Sequence, residues 1–212
     1  MPLNILTLSR TQFFEHNPGI PSRIPYTLKF EDYKNPELLL MLQKMIDKWY
    51  TGKMKVDDGM GGLYMRIVVR RLGRGRGRKG FGNARDLANV FARIRERQGT
   101  RLNRERREGK KPDDFFFTKE DLIGPNPAEA LGESEAWNKL KEMIGLQTVK
   151  KSVQSMVDMI QTNYLRELNE KEPMQVPLNR VYLGSPGTGK TTVAKYYGHV
   201  LKDLGMLSNG EG

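Results

Sequence analysis

The sequence predicts an α/β fold, opened by a strand–loop–helix unit and preceded by an α-helical unit. Three observations predict it. Residues 181–192 read Val-Tyr-Leu-Gly-Ser-Pro-Gly-Thr-Gly-Lys-Thr-Thr, in which Gly184 is followed by Gly189, Lys190 and Thr191 in the pattern G-x-x-x-x-G-K-[ST]. Arg180 to Leu183 just before it is a strand candidate rich in β-formers, and Val193, Ala194, Tyr197, Val200, Leu201 and Leu204 just after it have helical spacing. Further upstream, Leu38, Leu39, Met41, Leu42, Met45, Ile46 and Trp49, then Leu87, Val90, Phe91 and Ile94, repeat at helical spacing.

The residue types of the loop suit a phosphate chain. Gly184, Gly187 and Gly189 allow backbone angles denied to other residues. The loop over Ser185, Pro186 and Thr188 can then turn its N–H groups inward as an anion nest, and the following helix aims its positive end at the same charge. Lys190 supplies a point charge for the β- and γ-phosphates. The Thr191 hydroxyl is a hard oxygen ligand suited to Mg²⁺, with Thr192 beside it. A phosphate chain with Mg²⁺ is the ligand this chemistry suits.

Composition bounds the rest. The chain has 212 residues, 37% hydrophobic and 29% charged, with no cysteine. Its length suits one or two domains. No apolar run approaches the ~20 residues that span a bilayer. The N-terminus lacks the basic start and long apolar core of a signal peptide. The absence of cysteine excludes disulfides and cysteine metal sites, and fits an intracellular protein, cytoplasmic or nuclear. Residues 1–112 hold 25 Lys/Arg and 11 Asp/Glu, a net of +14; residues 113–212 hold 11 and 14, a net of −3, and together they give +11. This asymmetry suggests two units with different partners.

In chain order, Asn17-Pro18-Gly19 signals a turn, and Tyr26 to Phe30 alternates as a short strand does. Asn35-Pro36-Glu37 opens a helix, with Asn35 as its cap. Leu63 to Val69 can be helix or strand. Arg70 to Gly80 puts six positive charges and four glycines into eleven residues, which reads as a flexible cationic loop. That loop is either a solvated insertion or, together with Arg93 to Lys111, a nucleic-acid surface acting by counterion release. Asn83 is a cap candidate for the next helix. Residues 105–135, with Gly124-Pro125-Asn126-Pro127, read as punctuation and a linker, which Phe115-Phe116-Phe117 either docks on a domain or offers as an apolar partner site. A second module starts near Trp137. Trp137, Leu140, Met143 and Ile144 form one helical face; after Gly145, Leu146, Val149, Val153, Met156, Val157, Ile160 and Tyr164 form another.

Several stretches resemble the AAA+ ATPases of the CbxX/CfqX-like group: Phe14-x-x-Asn17-Pro18-Gly19-Ile20-x-Ser22-Arg23-Ile24; Gly82-Asn83-Ala84-Arg85, continuing to Arg95-Glu96-Arg97-Gln98; and Ile144-Gly145-Leu146-x-x-Val149-Lys150 ahead of the phosphate loop. The resemblance implies that Arg23 is an arginine finger, that Arg85 is a sensor-2 arginine touching phosphate, and that Ile144 and Gly145 lie beside adenine. On the residues alone, Arg23 is a loop arginine that can pair with a carboxylate, and Gly145 is a helix junction.

The matching order implies the end of one AAA+ core (1–34), a lid domain (35–108), a linker (109–135) and the N-terminal part of a second core (136–212). In fold-class terms this is a P-loop NTPase (AAA+) core fragment plus an α-helical lid. No acidic residue ending an apolar strand follows Lys190, although such a carboxylate is needed to hold Mg²⁺ and orient water. The expectation is therefore an ATP-binding portion of a tandem AAA+ ATPase. By family resemblance, ATP hydrolysis in a homo-oligomeric ring would remodel a protein partner. The other expectation is a basic nucleic-acid-binding module.

Overall fold

The computed structural model describes residue 28 and residues 30–206. The chain divides into Met1–Asp32 and Tyr33–Gly212. In the first unit, Leu28 and Phe30 are exposed. The turn at Asn17, Arg23 and most of the strand expected over Tyr26 to Phe30 lie outside the described residues.

The second unit opens with α1 (Asn35–Tyr50). The Lys34 N–H donates to Glu37 Oε2 at 2.7 Å, which satisfies an end-group donor and sets the start of the helix. Asn35, expected as the cap, is the first helical residue. Leu38, Leu42 and Ile46, four residues apart, form its buried edge. Trp49, expected on the same face, is 57% exposed and lies under the Arg95 guanidinium, 3.7 Å from its ring centre. β1 (Lys55–Val56) leads into α2 (Leu63–Gly73), so the apolar run of uncertain type is helical. α3 (Ala84–Arg107) buries Leu87, Phe91, Ile94, Gln98 and Leu102. Asn83 precedes it but does not cap it with its side chain; instead its Oδ1 accepts from the Tyr33 N–H at 3.0 Å.

β2 (Phe116–Phe117) pairs parallel with β1, Lys55 opposite Phe116 and Val56 opposite Phe117. A parallel pair needs a long crossover, and α2 and α3 supply it. This changes the reading of the expected linker. Phe117 is fully buried, and Leu122 and Ile123 of α4 (Lys119–Ile123) join the same core as α1, α2 and α3. Aromatic area on this scale contributes about 1.5–3 kcal/mol per buried side chain, enough to order a segment that composition marks as punctuation. Phe115 stays 42% exposed.

α5 (Pro127–Glu133) is capped by Asn126, whose Oδ1 accepts from the Ala128 N–H. α6 (Glu135–Glu142) is capped by Ser134, whose Oγ accepts from the Trp137 N–H. α7 (Gln147–Leu168) and α8 (Lys190–Asp203) complete the unit. Leu131, Trp137 and Leu140 pack with Val153, Met156, Val157 and Ile160 of α7 and with Val193, Tyr197, Val200 and Leu201 of α8 as a second core. One turn beyond Ile160, Tyr164 belongs to the first core, so α7 is shared by both.

Two expectations are corrected here. Residues 180–183 form no strand; Val181 and Leu183 are 83% and 88% exposed. A lone extended segment leaves its backbone N–H and C=O groups without ladder partners, and the described residues supply no neighbouring strand. The described chain is accordingly mostly helical with one two-stranded sheet, and the α/β core is not formed among the described residues.

The cationic stretch also differs from its sequence reading. Arg70 and Arg71 lie on α2, where Arg66 and Arg70 hold Glu170 while Arg71 and Arg74 hold Glu167. Arg76 Nε donates to the Tyr33 carbonyl at 2.6 Å and its Nη2 to Asn35. Arg70, Arg71, Arg74 and Arg76 are drawn onto carboxylates and carbonyls of the same unit, while Arg78 and Lys79 stay exposed. No helix among the described residues is long and apolar enough to cross a membrane.

Candidate functional site

The phosphate-loop sequence folds into a turn that leads directly into α8. Gly187 and Gly189 both have φ of +80°, a conformation that side-chain-bearing residues rarely adopt. Gly189 is the residue before the helix, so the orphan N–H groups of the first turn, at Lys190, Thr191 and Thr192, face the loop. Lys190 Nζ folds back and donates to the Gly184 and Ser185 carbonyls at 2.8 and 2.7 Å, and Thr188 Oγ1 donates to the Ser185 carbonyl at 2.8 Å. Ser185, Pro186, Thr188, Thr191 and Thr192 are exposed. Lys190 is thus held folded back onto the loop by two carbonyls.

The segment before the loop leans on α8. Tyr197 Oη donates to the Leu178 carbonyl at 2.5 Å, and the Tyr182 ring meets Tyr197 edge-on with the ring centres 6.4 Å apart. Burial raises the Tyr197 hydroxyl above its usual value, with Arg180 opposing. Below the loop, α6 and α8 pack side by side.

The helix junction lies against this loop. Gly145 and Leu146 are both left-handed, at φ +73° and +58°, which reverses the chain between α6 and α7. Lys150 Nζ donates to the Lys141 and Met143 carbonyls and closes the end of α6. A Cβ placed on Gly189 would lie 3.5 Å from Met143 Cε, so the junction and the phosphate loop are neighbours. Ile144, expected on the buried face of α6, is instead fully exposed beside Gly145. Arg85 stands exposed in the first turn of α3, with no side-chain partner among the described residues; the structure does not bring it to the loop. Arg23 lies outside the described residues.

Sequence reasoning missed the polar residues that hold the sheet. Gln98 is 4% exposed; its Nε2 donates to the Asp114 and Phe116 carbonyls and its Oε1 accepts from Tyr50 Oη. Arg101 grips Asp121 through Nε and Nη2 and reaches the Phe116 carbonyl at 3.0 Å. Burial opposes the charge on Arg101, but the Asp121 pair outweighs it and raises the guanidinium further. The available signal was the spacing of Gln98 and Arg101 with Leu87, Phe91 and Ile94 on one face of α3.

Residues 64–133 match the AAA lid domain family. The chain is 37% identical over 70 residues to the chloroplastic ribulose bisphosphate carboxylase/oxygenase activase of Cyanidioschyzon merolae, covering 33% of this chain and 24% of that protein. It is 35% identical over 92 residues to protein CfxQ of Xanthobacter flavus, 43% of this chain and 26% of the relative. It is 31% identical over 97 residues to the ESX-2 secretion system protein EccA2 of Mycobacterium tuberculosis, 44% of this chain and 16% of the relative. The chain spans about a quarter or less of the length of these relatives. No solved structure matches it significantly. Helices α2 to α5 thus span the residues that match the AAA lid domain family, and the chain is similar to CbxX-like AAA+ proteins.

Proposed function

We propose that this chain is an ATP-binding portion of a tandem AAA+ ATPase, whose whole protein couples hydrolysis to remodelling of a protein partner in a ring. The observation that carries this reading is the loop 184–191: two left-handed glycines, a Lys190 folded back onto the loop and the N-terminus of α8, all within eight residues. The residues fit ATP with Mg²⁺. Gly184 to Gly189 would present backbone N–H groups to the phosphate chain, Lys190 would exchange its two carbonyl partners for phosphate oxygens, and Thr191 would offer its hydroxyl to the metal. Bound Mg²⁺ would offset negative charge on the phosphates.

Met143, next to Gly189 and directly before Ile144 and Gly145 in the chain, supports the junction as the base side of the site. The domain assignment that goes with this reading puts residues 136–212 in a second core and the end of a first core before residue 35. Residues 115–123 join the lid, as their packing supports. Arg23 as finger and Arg85 as sensor remain part of the proposal through their motifs; they would act on nucleotide at sites completed by other segments or subunits.

The test is a titration of the chain and of Lys190→Ala with a fluorescent ATP analogue in Mg²⁺. Removing a charge-assisted contact should weaken affinity about tenfold or more. Equal affinity in the two proteins, with both folded by circular dichroism, would overturn the nucleotide reading.

A further inference from the structure

A second concave surface lies away from the phosphate loop. It is a cleft of about 650 Å³ between α2 and α3 on one side and α7 with the end of α8 on the other. Its volume is within the roughly 300–1,000 Å³ of small-molecule sites. Arg71, Arg74, Arg78, Arg93 and Arg97 line it, against the carboxylates of Asp86 and Glu167. Counting these charges, +5 and −2 leave +3 around the cleft.

Both carboxylates already have partners. Glu167 is taken by Arg71 and Arg74. Asp86 accepts the Gly82 N–H at 2.8 Å. Arg97 has no carboxylate of its own: its Nη1 reaches only the Asp121 and Leu122 carbonyls, at 3.4 and 3.3 Å, while the Asp121 carboxylate is gripped by Arg101. Burial lowers the Arg97 guanidinium from its ordinary value, and the charges of Arg71 and Arg93 lower it further. Arg93, one helical turn before it, and Arg78 have no side-chain hydrogen bond or ion pair among the described residues. A half-buried cation flanked by like charges, with only long contacts, is an arrangement that an anion would stabilise. Leu72, Phe81 and Val90 lie among these arginines on the α2 and α3 side, and Met174 adds a further apolar side chain to the lining.

We propose that this cleft binds a small phosphate-bearing organic molecule, with Arg78, Arg93 and Arg97 on its phosphate and Leu72, Phe81, Val90 and Met174 against its organic part. Guanidinium groups suit this chemistry because their planar fork matches phosphate oxygens in pairs. The site is separate from the phosphate loop and does not rest on the nucleotide reading of Lys190.

The experiment uses the full chain carrying Lys190→Ala, so that the phosphate loop cannot answer for the cleft. Pyrophosphate and AMP are titrated calorimetrically into this protein, into the same protein with Arg93→Gln, and into the same protein with Arg95→Gln. Arg93 is exposed and unpaired, so its variant should fold; Arg95 lies on Trp49 outside the cleft and controls for net charge. The expected result is saturable binding of both probes, weakened about tenfold or more by Arg93→Gln and little changed by Arg95→Gln. Absence of binding, or equal loss in the two arginine variants, would overturn the site. Binding of pyrophosphate without AMP would overturn the role of these apolar residues and with it the organic ligand.

Discussion

Arg71 grips Glu167 side-on across 96 residues of chain, with Nε and Nη2 at 3.0 and 2.7 Å from one carboxylate oxygen, while its Nη1 donates to the Ile123 carbonyl at 2.5 Å. One guanidinium thus ties α2 to α7 and to the end of α4. Arg74 closes on the other oxygen of the same carboxylate at 2.6 Å. The Glu167 side chain is 9% exposed, whereas the arginines are 35% and 38% exposed, so the network lies between a surface pair and a buried one.

Glu167→Ala should therefore destabilise the chain by about 1–3 kcal/mol, between the ~0–1 of exposed pairs and the ~3–5 of buried pairs stripped of one partner. Urea denaturation of the wild type, the two single variants and the Arg71→Ala/Glu167→Ala double variant measures it. A coupling energy near zero would show that the pair is ornamental.

The same pair sets an acid sensitivity. Burial pushes the Glu167 carboxyl up, but Arg71 and Arg74 outweigh it and hold the group below its ordinary value of 4.5. A carboxyl whose pKa is lower in the folded state contributes stability that is fully present above the unfolded value. That contribution is lost as the pH falls from about 4.5 through the lowered folded value. The melting temperature of the wild type should fall more steeply than that of Glu167→Gln below about pH 4.5. Parallel curves would reject the assignment.

How much of this could be read in advance differs by element. α1, α7 and α8 were legible because each carries its own apolar period: Leu38, Leu42 and Ile46 report a helix without reference to anything else. The turn of the phosphate loop was legible because its glycines encode it locally. The pairing of Val56 with Phe117 was not, since a two-residue parallel strand has no period and its partner lies 61 residues away. The same distance problem hid the fate of Arg70, Arg71 and Arg74. Their composition reads as a solvated loop, and only the folded chain brings Glu167 and Glu170 to them. At Arg180 to Leu183 the error ran the other way: strand propensity was present but no neighbouring strand was.

The arginine–glycine stretch should consequently behave unevenly. Arg78→Ser should leave the denaturation midpoint within the ~0.5 kcal/mol usual for surface changes, because no side-chain partner is lost. Arg76→Ser should cost about 1 kcal/mol or more, because it releases the Tyr33 carbonyl and the Asn35 side chain that seat the start of α1. Equal midpoints for the two variants would mean that the Arg76 contacts add nothing.

Asp121 is the residue on which the lid core depends most sharply. Its side chain is 2% exposed and that of Arg101 10%, so little water reaches the pair. The carboxylate also accepts the Thr118 N–H at 3.0 Å, while the Asp121 N–H donates to Thr118 Oγ1 at 3.3 Å, which caps α4 at its N-terminus. Asp121→Ala removes the ion pair and half of the cap together, and strands a buried guanidinium. A cost of about 3–5 kcal/mol is expected from the stranded charge. Asp121→Asn keeps the shape and one acceptor, so it should lose less. The decisive comparison is Arg101→Met with Asp121→Ala: once the cation is gone, the double variant should be more stable than Asp121→Ala alone, although it still lacks the Arg101 bond to the Phe116 carbonyl. Urea midpoints of the four proteins test this. A double variant no better than Asp121→Ala would mean that the cap and the Phe116 contact, rather than the unpaired charge, carry the stability of this corner.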